Sequence, residues 1–276
     1  METGSVVSAD GTEISYRRFG QGPAVVLVHG SMLAAQDLTE LAEALAGDCT
    51  AYVPDRRGRG RSGPHGPRFG IDREVEDLQA LLKGTGASRV FGLSSGALIA
   101  LRTALRTPAV ERIALYEPPL SVDGSVPVGW APRYHREIAA GRTVSALVTA
   151  LKGLRVDPVF AKVPRFALMP LLKLALRLQR PKGDDVPLAE LVPTMAADLM
   201  LVAELADTTN DYAAVEAGVL LLAGGRSPAY FGPALDALTG ALPRSSRQTF
   251  DKLDHSGPTN DGGPAQVART LREFFA

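Results

Sequence analysis

Short apolar runs and amphipathic stretches alternate along most of the chain. Continuous apolar runs of this length are typical of strands covered on both faces of a sheet, and leucines spaced three and four residues apart are typical of helices packed on it. After a hairpin around the turn dipeptide Asp10-Gly11, the pattern predicts strands over residues 23–28, 50–53, 90–91, 110–116, 219–223 and 247–250. It predicts helices over residues 37–46 and 72–83, directly after Gly96, between Leu235 and Leu242, and between Val267 and Phe275.

The alternation stops between about residues 120 and 211, where helical patterns separated by prolines replace it. Strands joined by single helices imply a mostly parallel sheet wound in right-handed crossovers, so the expected fold class is α/β. We therefore expect one core made of residues 1–119 and 212–276, with residues 120–211 inserted into it as a helical cap.

The chain of 276 residues has 30 basic and 30 acidic side chains, so its formal net charge is zero. This balance gives no electrostatic reason to expect nucleic acid or an anionic membrane as a partner. Cys49 is the only cysteine, which excludes an internal disulfide and favours a reducing compartment. The apolar stretch 166–178 contains Lys173 and Arg177 and is too short to span a bilayer, and the N-terminal residues lack a signal-peptide pattern. We expect a cytoplasmic protein, and the abundance of Ala, Gly and Arg favours a bacterial one.

The segment from Ser88 to Leu101 holds the pattern on which the candidate chemistry depends. A short strand turns through Gly92-Leu-Ser94-Ser-Gly96 into a helix, and small residues two positions before and after Ser94 permit so tight a turn. A serine at such a corner projects its hydroxyl above the sheet, while the N–H of the next residue lies at the helix N-terminus. This geometry is typical of a nucleophile, and a neutral hydroxyl needs a base within hydrogen-bonding distance.

Four motifs occur in this order along the chain: His29-Gly30, the run DRRGRGRS at residues 55–62, Gly92-x-Ser94-x-Gly96, and Asp254-His255. This order resembles the α/β-hydrolase superfamily, in particular its esterase-like and lipase-like branch with a serine nucleophile. The resemblance implies the α/β-hydrolase fold: a mostly parallel eight-stranded sheet, flanking helices and a cap that varies among members.

The resemblance assigns the catalytic base to His255, because members of the superfamily carry this histidine after the last strand. The other three histidines have less suitable positions. His29 precedes the glycine of the oxyanion loop, His65 lies in a loop rich in Pro and Gly, and His135 lies among charged residues.

The position of the acid is less regular in the superfamily. Many relatives carry a carboxylate in the loop after the strand at 219–223, where this chain has Ser227. Others carry it after the strand that follows the nucleophile helix, where this chain has Glu117. We expect Glu117 to be the acid, and Asp251 remains an alternative.

The oxyanion hole is expected to use the backbone N–H of Ser95 and that of Ser31 or Met32. Arginines are interleaved with glycines at residues 56–61, directly after a strand. We interpret them as part of a structural turn rather than a phosphate site, in agreement with the zero net charge.

The cap contains more apolar side chains than a helical layer needs for packing on the core, which favours a lipophilic substrate. Trp130, Tyr134, Met169 and Met200 are the candidate substrate-binding residues. A small hydrophobic molecule is the expected partner. The sequence contains no P-loop, dinucleotide fingerprint or metal-ligand cluster, so neither a cofactor nor a metal is expected.

The expected function is that of a serine hydrolase for a carboxylic ester, thioester or lactone, with an acyl-enzyme on Ser94. Two alternatives remain open at this point, because one fold supports many functions. The first alternative is a cyclase, lyase or isomerase of a biosynthetic pathway. The second is a ligand-binding protein with a degenerate triad. The sequence leaves the oligomeric state open.

Overall fold

The protein is built on one mixed sheet, seen in a computed structural model that describes residues 1–155 and 162–276. The strands are β1 (Glu2–Val7), β2 (Glu13–Phe19), β3 (Ala24–Val28), β4 (Thr50–Pro54), β5 (Arg89–Leu93), β6 (Arg112–Tyr116), β7 (Gly218–Gly224) and β8 (Ser245–Phe250). They lie in the order β1-β2-β4-β3-β5-β6-β7-β8. β2 pairs antiparallel with β1 and β4, and every other neighbouring pair is parallel. The predicted α/β class and mostly parallel eight-stranded sheet are confirmed.

Helices follow the strands as the periodicity predicts, with small shifts at their ends. The helices of the described residues are α1 (Thr39–Leu45), α2 (Ile71–Thr85), α3 (Ser95–Arg106), α4 (Ala131–Ala139), α5 (Thr143–Leu154), α6 (Arg165–Leu178), α7 (Leu188–Leu191), α8 (Met195–Glu204), α9 (Gly232–Ala241) and α10 (Pro264–Phe275). α2 runs past Gly84 and ends at Gly86, whose φ of 69° is the left-handed conformation that closes a helix.

Alternate residues of each central strand face opposite sides of the sheet, and each side has its own apolar core. Val26 and Val28 of β3 pack with side chains of α2, α3 and α9, whereas Val25 and Leu27 pack with those of α1 and α10. Because both faces are covered, the central strands read as continuous apolar runs in the sequence.

Between β6 and β7, the described residues form helices α4 to α8 and no strand. We call the segment between these two strands the insertion, and its helices the inserted helices. A separate apolar cluster that includes Tyr134, Leu147 and Met195 packs these helices on one another. Of the residues that the structure describes, no helix is both long enough and apolar enough to cross a bilayer.

The corner between β5 and α3 depends on two close backbone approaches. A Cβ atom on Gly92 would lie 2.5 Å from the carbonyl oxygen of Gly96, and one on Gly96 would lie 2.3 Å from that of Val28. Neither contact can be relieved by turning a side chain, because both partners are backbone atoms. Glycine at these positions therefore lets α3 pack directly on the end of β3.

This packing gives a prediction for the free energy of unfolding. Gly96→Ala should destabilise the protein by about 3 kcal/mol or more, since the methyl group overlaps backbone atoms. Gly240→Ala is the matched control: Gly240 is exposed on α9, a Cβ atom added there would meet no atom within 4 Å, and alanine favours a helix by about 1 kcal/mol at most. Urea denaturation of both variants measures the difference, and equal stabilities would contradict the packing argument.

Candidate active site

Ser94 lies at the corner between β5 and α3 with a strained backbone. Its φ of 56° and ψ of −123° are costly for a residue with a side chain, by about 1–3 kcal/mol. The N–H of Ser94 donates to the carbonyl oxygen of Tyr116 at 2.9 Å, which ties the corner to the end of β6. The neighbouring oxyanion-loop candidate Met32 also has a positive φ, of 53°.

Glu117 follows β6, the strand next to β5 in the sheet, and its side chain is fully buried. Its φ is 48°, and its N–H still pairs with the carbonyl oxygen of Leu222 at 3.0 Å. One carboxylate oxygen, Oε1, accepts a hydrogen bond from the N–H of Gly224 at 2.7 Å. The end of β7 therefore holds the carboxylate of Glu117 in place.

The other oxygen of Glu117, Oε2, lies 2.6 Å from Nδ1 of His255. A carboxylate oxygen accepts and a ring N–H donates, so Nδ1 is the donor in this contact, and Nε2 is the ring nitrogen that can take a further proton. The ring of His255 stacks on Phe231, with centroids 4.6 Å apart and planes inclined by 14°. Both contacts restrict the orientation of the imidazole.

The loop that carries His255 is braced by Tyr116. The phenol of Tyr116 donates to the carbonyl oxygen of Asp254 at 2.6 Å. Burial raises the pKa of Tyr116, with a smaller contribution from the negative charge of Glu117, so the phenol stays protonated as this bond requires. The strand that ends at Glu117 thus also supports the loop of its histidine partner.

The other candidates for the acid lie elsewhere. Ser227 occupies the loop after β7, and its hydroxyl oxygen is buried with no hydrogen-bond partner among the described residues. Asp251 is exposed to solvent. Of the residues considered, Glu117 is the one whose carboxylate contacts His255.

Ser94 and His255 line one cavity of about 450 Å³ between the sheet and the inserted helices. Ser31 and Met32 line it too, which places both candidate second oxyanion residues beside Ser94. The side chains contributed by the insertion are largely apolar. Those lining residues include Val126, Trp130, Leu147, Leu151, Leu154, Leu172, Leu188, Met195, Leu199 and Val202.

Of the four predicted substrate-binding residues, Trp130 lines this cavity and the other three do not. Tyr134 is fully buried between the helices of the insertion, where its hydroxyl donates to the carbonyl oxygen of Val192 at 2.5 Å. Met200 is 52% exposed on the opposite side of α8 from the cavity-lining Leu199 and Val202, and Met169 is only partly buried on α6. The structure thus places Trp130 at the cavity wall and Tyr134, Met169 and Met200 away from it, because composition does not reveal which way a helix faces.

His29 is part of the scaffold of the oxyanion loop. Its Nε2 accepts the N–H of Arg56 at 3.2 Å, and its Nδ1 lies 3.0 Å from the carbonyl oxygen of Gly30. Burial lowers the pKa of His29 well below its usual value, and nearby Arg59 and Arg56 lower it further. The ring is therefore neutral, and its contacts are structural.

The arginines between residues 56 and 59 also have a structural role, because their side chains form buried ion pairs. Arg57 is fully buried and forms two hydrogen bonds of 2.6 Å with the carboxylate of Asp77. Arg56 and Arg59 are buried as well and pair with Asp198 of α8. The sequence reasoning missed Asp198, although a single acidic residue in the otherwise apolar run from Met195 to Val202 is a readable signal.

Comparisons with known proteins agree with this architecture. The chain is similar to the N-formylmaleamate deformylase of Pseudomonas putida, with 36% identity over 127 residues that cover 44% of this chain and 47% of the relative. It is also similar to an uncharacterized hydrolase of Bacillus subtilis, with 34% identity over 114 residues that cover 40% of this chain and 42% of the relative. The matched part of the chain thus spans about half the length of these curated relatives or less.

Two solved structures extend over the whole chain. An α/β hydrolase from Sphaerobacter thermophilus superimposes with a TM-score of 0.80 and 30% identity, covering 99% of this chain and 100% of that one. A thermophilic esterase from Thermogutta terrifontis has a TM-score of 0.69 and 22% identity, covering 100% and 98%, and this likeness concerns the fold alone. The model of the alpha/beta hydrolase family matches residues 25–270, a range that contains the serine corner, Glu117 and His255. The protein belongs to the alpha/beta hydrolase family.

Proposed function

We propose that the protein is a serine hydrolase that cleaves a lipophilic carboxylic ester, thioester or lactone through an acyl-enzyme on Ser94. The observation that carries the proposal is the 2.6 Å contact between Glu117 and His255 at the wall of the cavity that Ser94 also lines. A nucleophile, a base and a buried acid then occupy the ends of β5, β6 and β8, at one edge of the sheet.

The chemistry follows from these positions. Ser94 Oγ attacks the carbonyl carbon while Nε2 of His255 takes its proton, and the carbonyl oxygen becomes an oxyanion held by backbone N–H groups of Ser95 and of Ser31 or Met32. His255 returns the proton to the departing alcohol or thiol, and water then releases the acid by the same steps. Glu117 keeps the Nδ1–H tautomer and stabilises the imidazolium that forms in between.

The composition of the cavity wall favours an uncharged substrate. Its lining is mostly apolar, its carboxylates include Asp37 and Asp261, and no Lys or Arg occurs among the described residues that line it. Burial raises the pKa of Asp37 to about 6, so this side chain is ionised above that pH and repels a carboxylate. We propose that residues 120–211 act as a cap that supplies the apolar wall.

The name of one relative is compatible with hydrolysis of an acyl group. The curated relative from Pseudomonas putida, with 36% identity over 127 residues, is an N-formylmaleamate deformylase. The absence of a carboxylate at position 227 is one reason to consider non-hydrolytic chemistry. Since Glu117 contacts His255 from the end of β6, the site does not lack an acid, and this reason does not favour the alternative.

The nucleophile can be tested with a fluorophosphonate probe and peptide mapping. We expect covalent labelling of Ser94, loss of labelling in Ser94→Ala, and strongly reduced labelling in His255→Ala because the hydroxyl is no longer activated. Ser227→Ala is the matched serine control and should label like the wild type. Labelling that is absent from the wild type would instead support a binding protein with a degenerate triad.

The acid can be tested by Glu117→Gln, measured as kcat on p-nitrophenyl butyrate. We expect kcat to fall by about 10²–10⁴-fold, because a neutral amide cannot stabilise the imidazolium and can hold the wrong tautomer. Asp251→Asn is the control for the rival position and should retain kcat within about twofold, as is usual for an exposed side chain. A large loss in Asp251→Asn together with undiminished turnover in Glu117→Gln would reverse the assignment.

Substrate charge gives a separate prediction. The p-nitrophenyl ester of hexanoic acid should have a kcat/KM at least about tenfold above that of the mono-p-nitrophenyl ester of adipic acid, since an unpaired carboxylate in an apolar cavity is costly. Both chains have the same six-carbon reach, so the comparison isolates the terminal charge. Equal values for the two esters would refute the preference for an uncharged acyl chain without affecting the triad.

A further inference from the structure

A cluster of charged side chains lies buried behind Ser94, where the insertion meets the core. Asp198 of α8 pairs with Arg56 at 2.7 Å and with Arg59 at 2.5 Å, and Arg56 also pairs with Glu74 of α2 at 2.6 Å. These four side chains are 1–3% exposed. Two positive and two negative charges balance, as burial requires.

Asp198 stays ionised in this setting. Burial alone would raise its pKa, but Arg59 and Arg56 more than offset that effect and lower the pKa to about 2. Burial lowers the pKa of Arg59 to about 10, so this partner also remains charged near neutral pH. The cluster is therefore an ionic link between a helix of the insertion and the loop after β4.

The cluster reaches the nucleophile corner through the hydroxyl of Ser95. This Oγ lies 2.8 Å from Oδ1 of Asp198, 3.0 Å from Nη1 of Arg56 and 3.3 Å from Oγ of Ser31. The carboxylate and the guanidinium settle the proton positions, because the first can only accept and the second can only donate. Ser95 therefore donates to Asp198 and accepts from both Arg56 and Ser31.

The contact with Ser31 joins the two loops from which the oxyanion donors of the proposed function come. One donor is the N–H of Ser95 itself, and the other belongs to the Ser31–Met32 segment. A displacement of about 1 Å in such a donor can reduce a rate by about 10²-fold. The hydroxyl that contacts Ser31 is therefore the same one that contacts Asp198 and Arg56.

We propose that Ser95 Oγ and Asp198 are positioning residues for the oxyanion hole, so that the hole is correctly formed only when α8 of the insertion is seated on the core. This inference rests on the proposed function. It assigns to Asp198 a role that needs no contact with substrate: the carboxylate holds Ser95 Oγ, and Ser95 Oγ holds the loop of Ser31.

Ser95→Ala is the decisive variant. It removes the hydroxyl but keeps the backbone N–H, and Asp198 retains both arginines, so the buried charges stay paired and the fold is preserved. We expect kcat on p-nitrophenyl butyrate to fall by about 10–100-fold while KM changes by less than about threefold, since only the transition state develops the oxyanion.

The affinities for two inhibitors distinguish a positioning role of Ser95 from a merely structural one. Butylboronic acid forms a tetrahedral adduct on the nucleophile, and its affinity should fall in Ser95→Ala by about the same factor as kcat. 1-Hexanol forms no oxyanion, so its affinity should be the same for the variant and the wild type. Thr194→Val is the matched control, because Thr194 accepts from Nε of Arg59 at 3.1 Å at the far side of the cluster without touching Ser95. Its kcat should stay within about twofold of the wild type, because the substitution leaves Ser95 Oγ and its contacts with Asp198, Arg56 and Ser31 in place.

A double-mutant cycle tests whether Asp198 acts through Ser95. Asp198→Asn should lower kcat by at least as much as Ser95→Ala, because it also weakens the pairing with Arg56 and Arg59. Adding Ser95→Ala to Asp198→Asn should then produce little further loss, because the contact between Asp198 and Ser95 is already disturbed. If the double variant instead loses kcat by the product of the two single fold-losses, Asp198 acts independently of Ser95. Unchanged kcat and boronate affinity in Ser95→Ala would overturn the proposal, as would an equal loss in Thr194→Val.

The two proposals fail in different ways. If the wild type neither turns over the ester nor reacts with a fluorophosphonate at Ser94, the hydrolase function fails. If the wild type does both and Ser95→Ala is as active as the wild type, the hydrolase function stands and the positioning role alone is refuted.

Discussion

One buried carboxylate ties three strand ends together. Glu117 belongs to the end of β6, its Oε1 accepts the N–H of Gly224 at the end of β7, and its Oε2 meets His255 after β8. A carboxylate so deeply buried is tolerated only where hydrogen bonds satisfy it, and these two contacts do so. The orientation of the imidazole depends on this arrangement, and so does the proposed role of Ser94 as a nucleophile.

The site combines two energetically costly features, namely strained backbone conformations and a buried ionic cluster, and the surrounding packing stabilises both. Met32, Ser94 and Glu117 all have positive φ values, although none is glycine. The corner at Ser94 is held by the close backbone approach of α3 to the end of β3, and by the hydrogen bond from Ser94 to β6. The ionic cluster around Asp198 is likewise buried, and its balanced charges connect the inserted helices to the same corner.

Local pattern predicted the sheet, most helices and the order of the chemical groups along the chain. Ser94, Glu117 and His255 were identifiable because each follows an apolar strand, and parallel strands bring their carboxyl ends to one edge. The structure places Tyr134, Met169 and Met200 outside the cavity lining, since the directions of these side chains depend on how the inserted helices pack. Asp198 escaped notice because its partners, Arg56 and Arg59, are about 140 residues away in the chain.

The sequence by itself determined the alternation of strands and helices, the tight serine corner and the absence of a carboxylate at position 227, since these depend on local residue type and spacing. Only the tertiary structure decided that the acid at 117 reaches His255 and that Ser95 lies between Asp198 and Ser31. The physical reason is that such contacts join segments far apart in the chain. Their distances follow from how strands and helices pack, which no local pattern of residues contains.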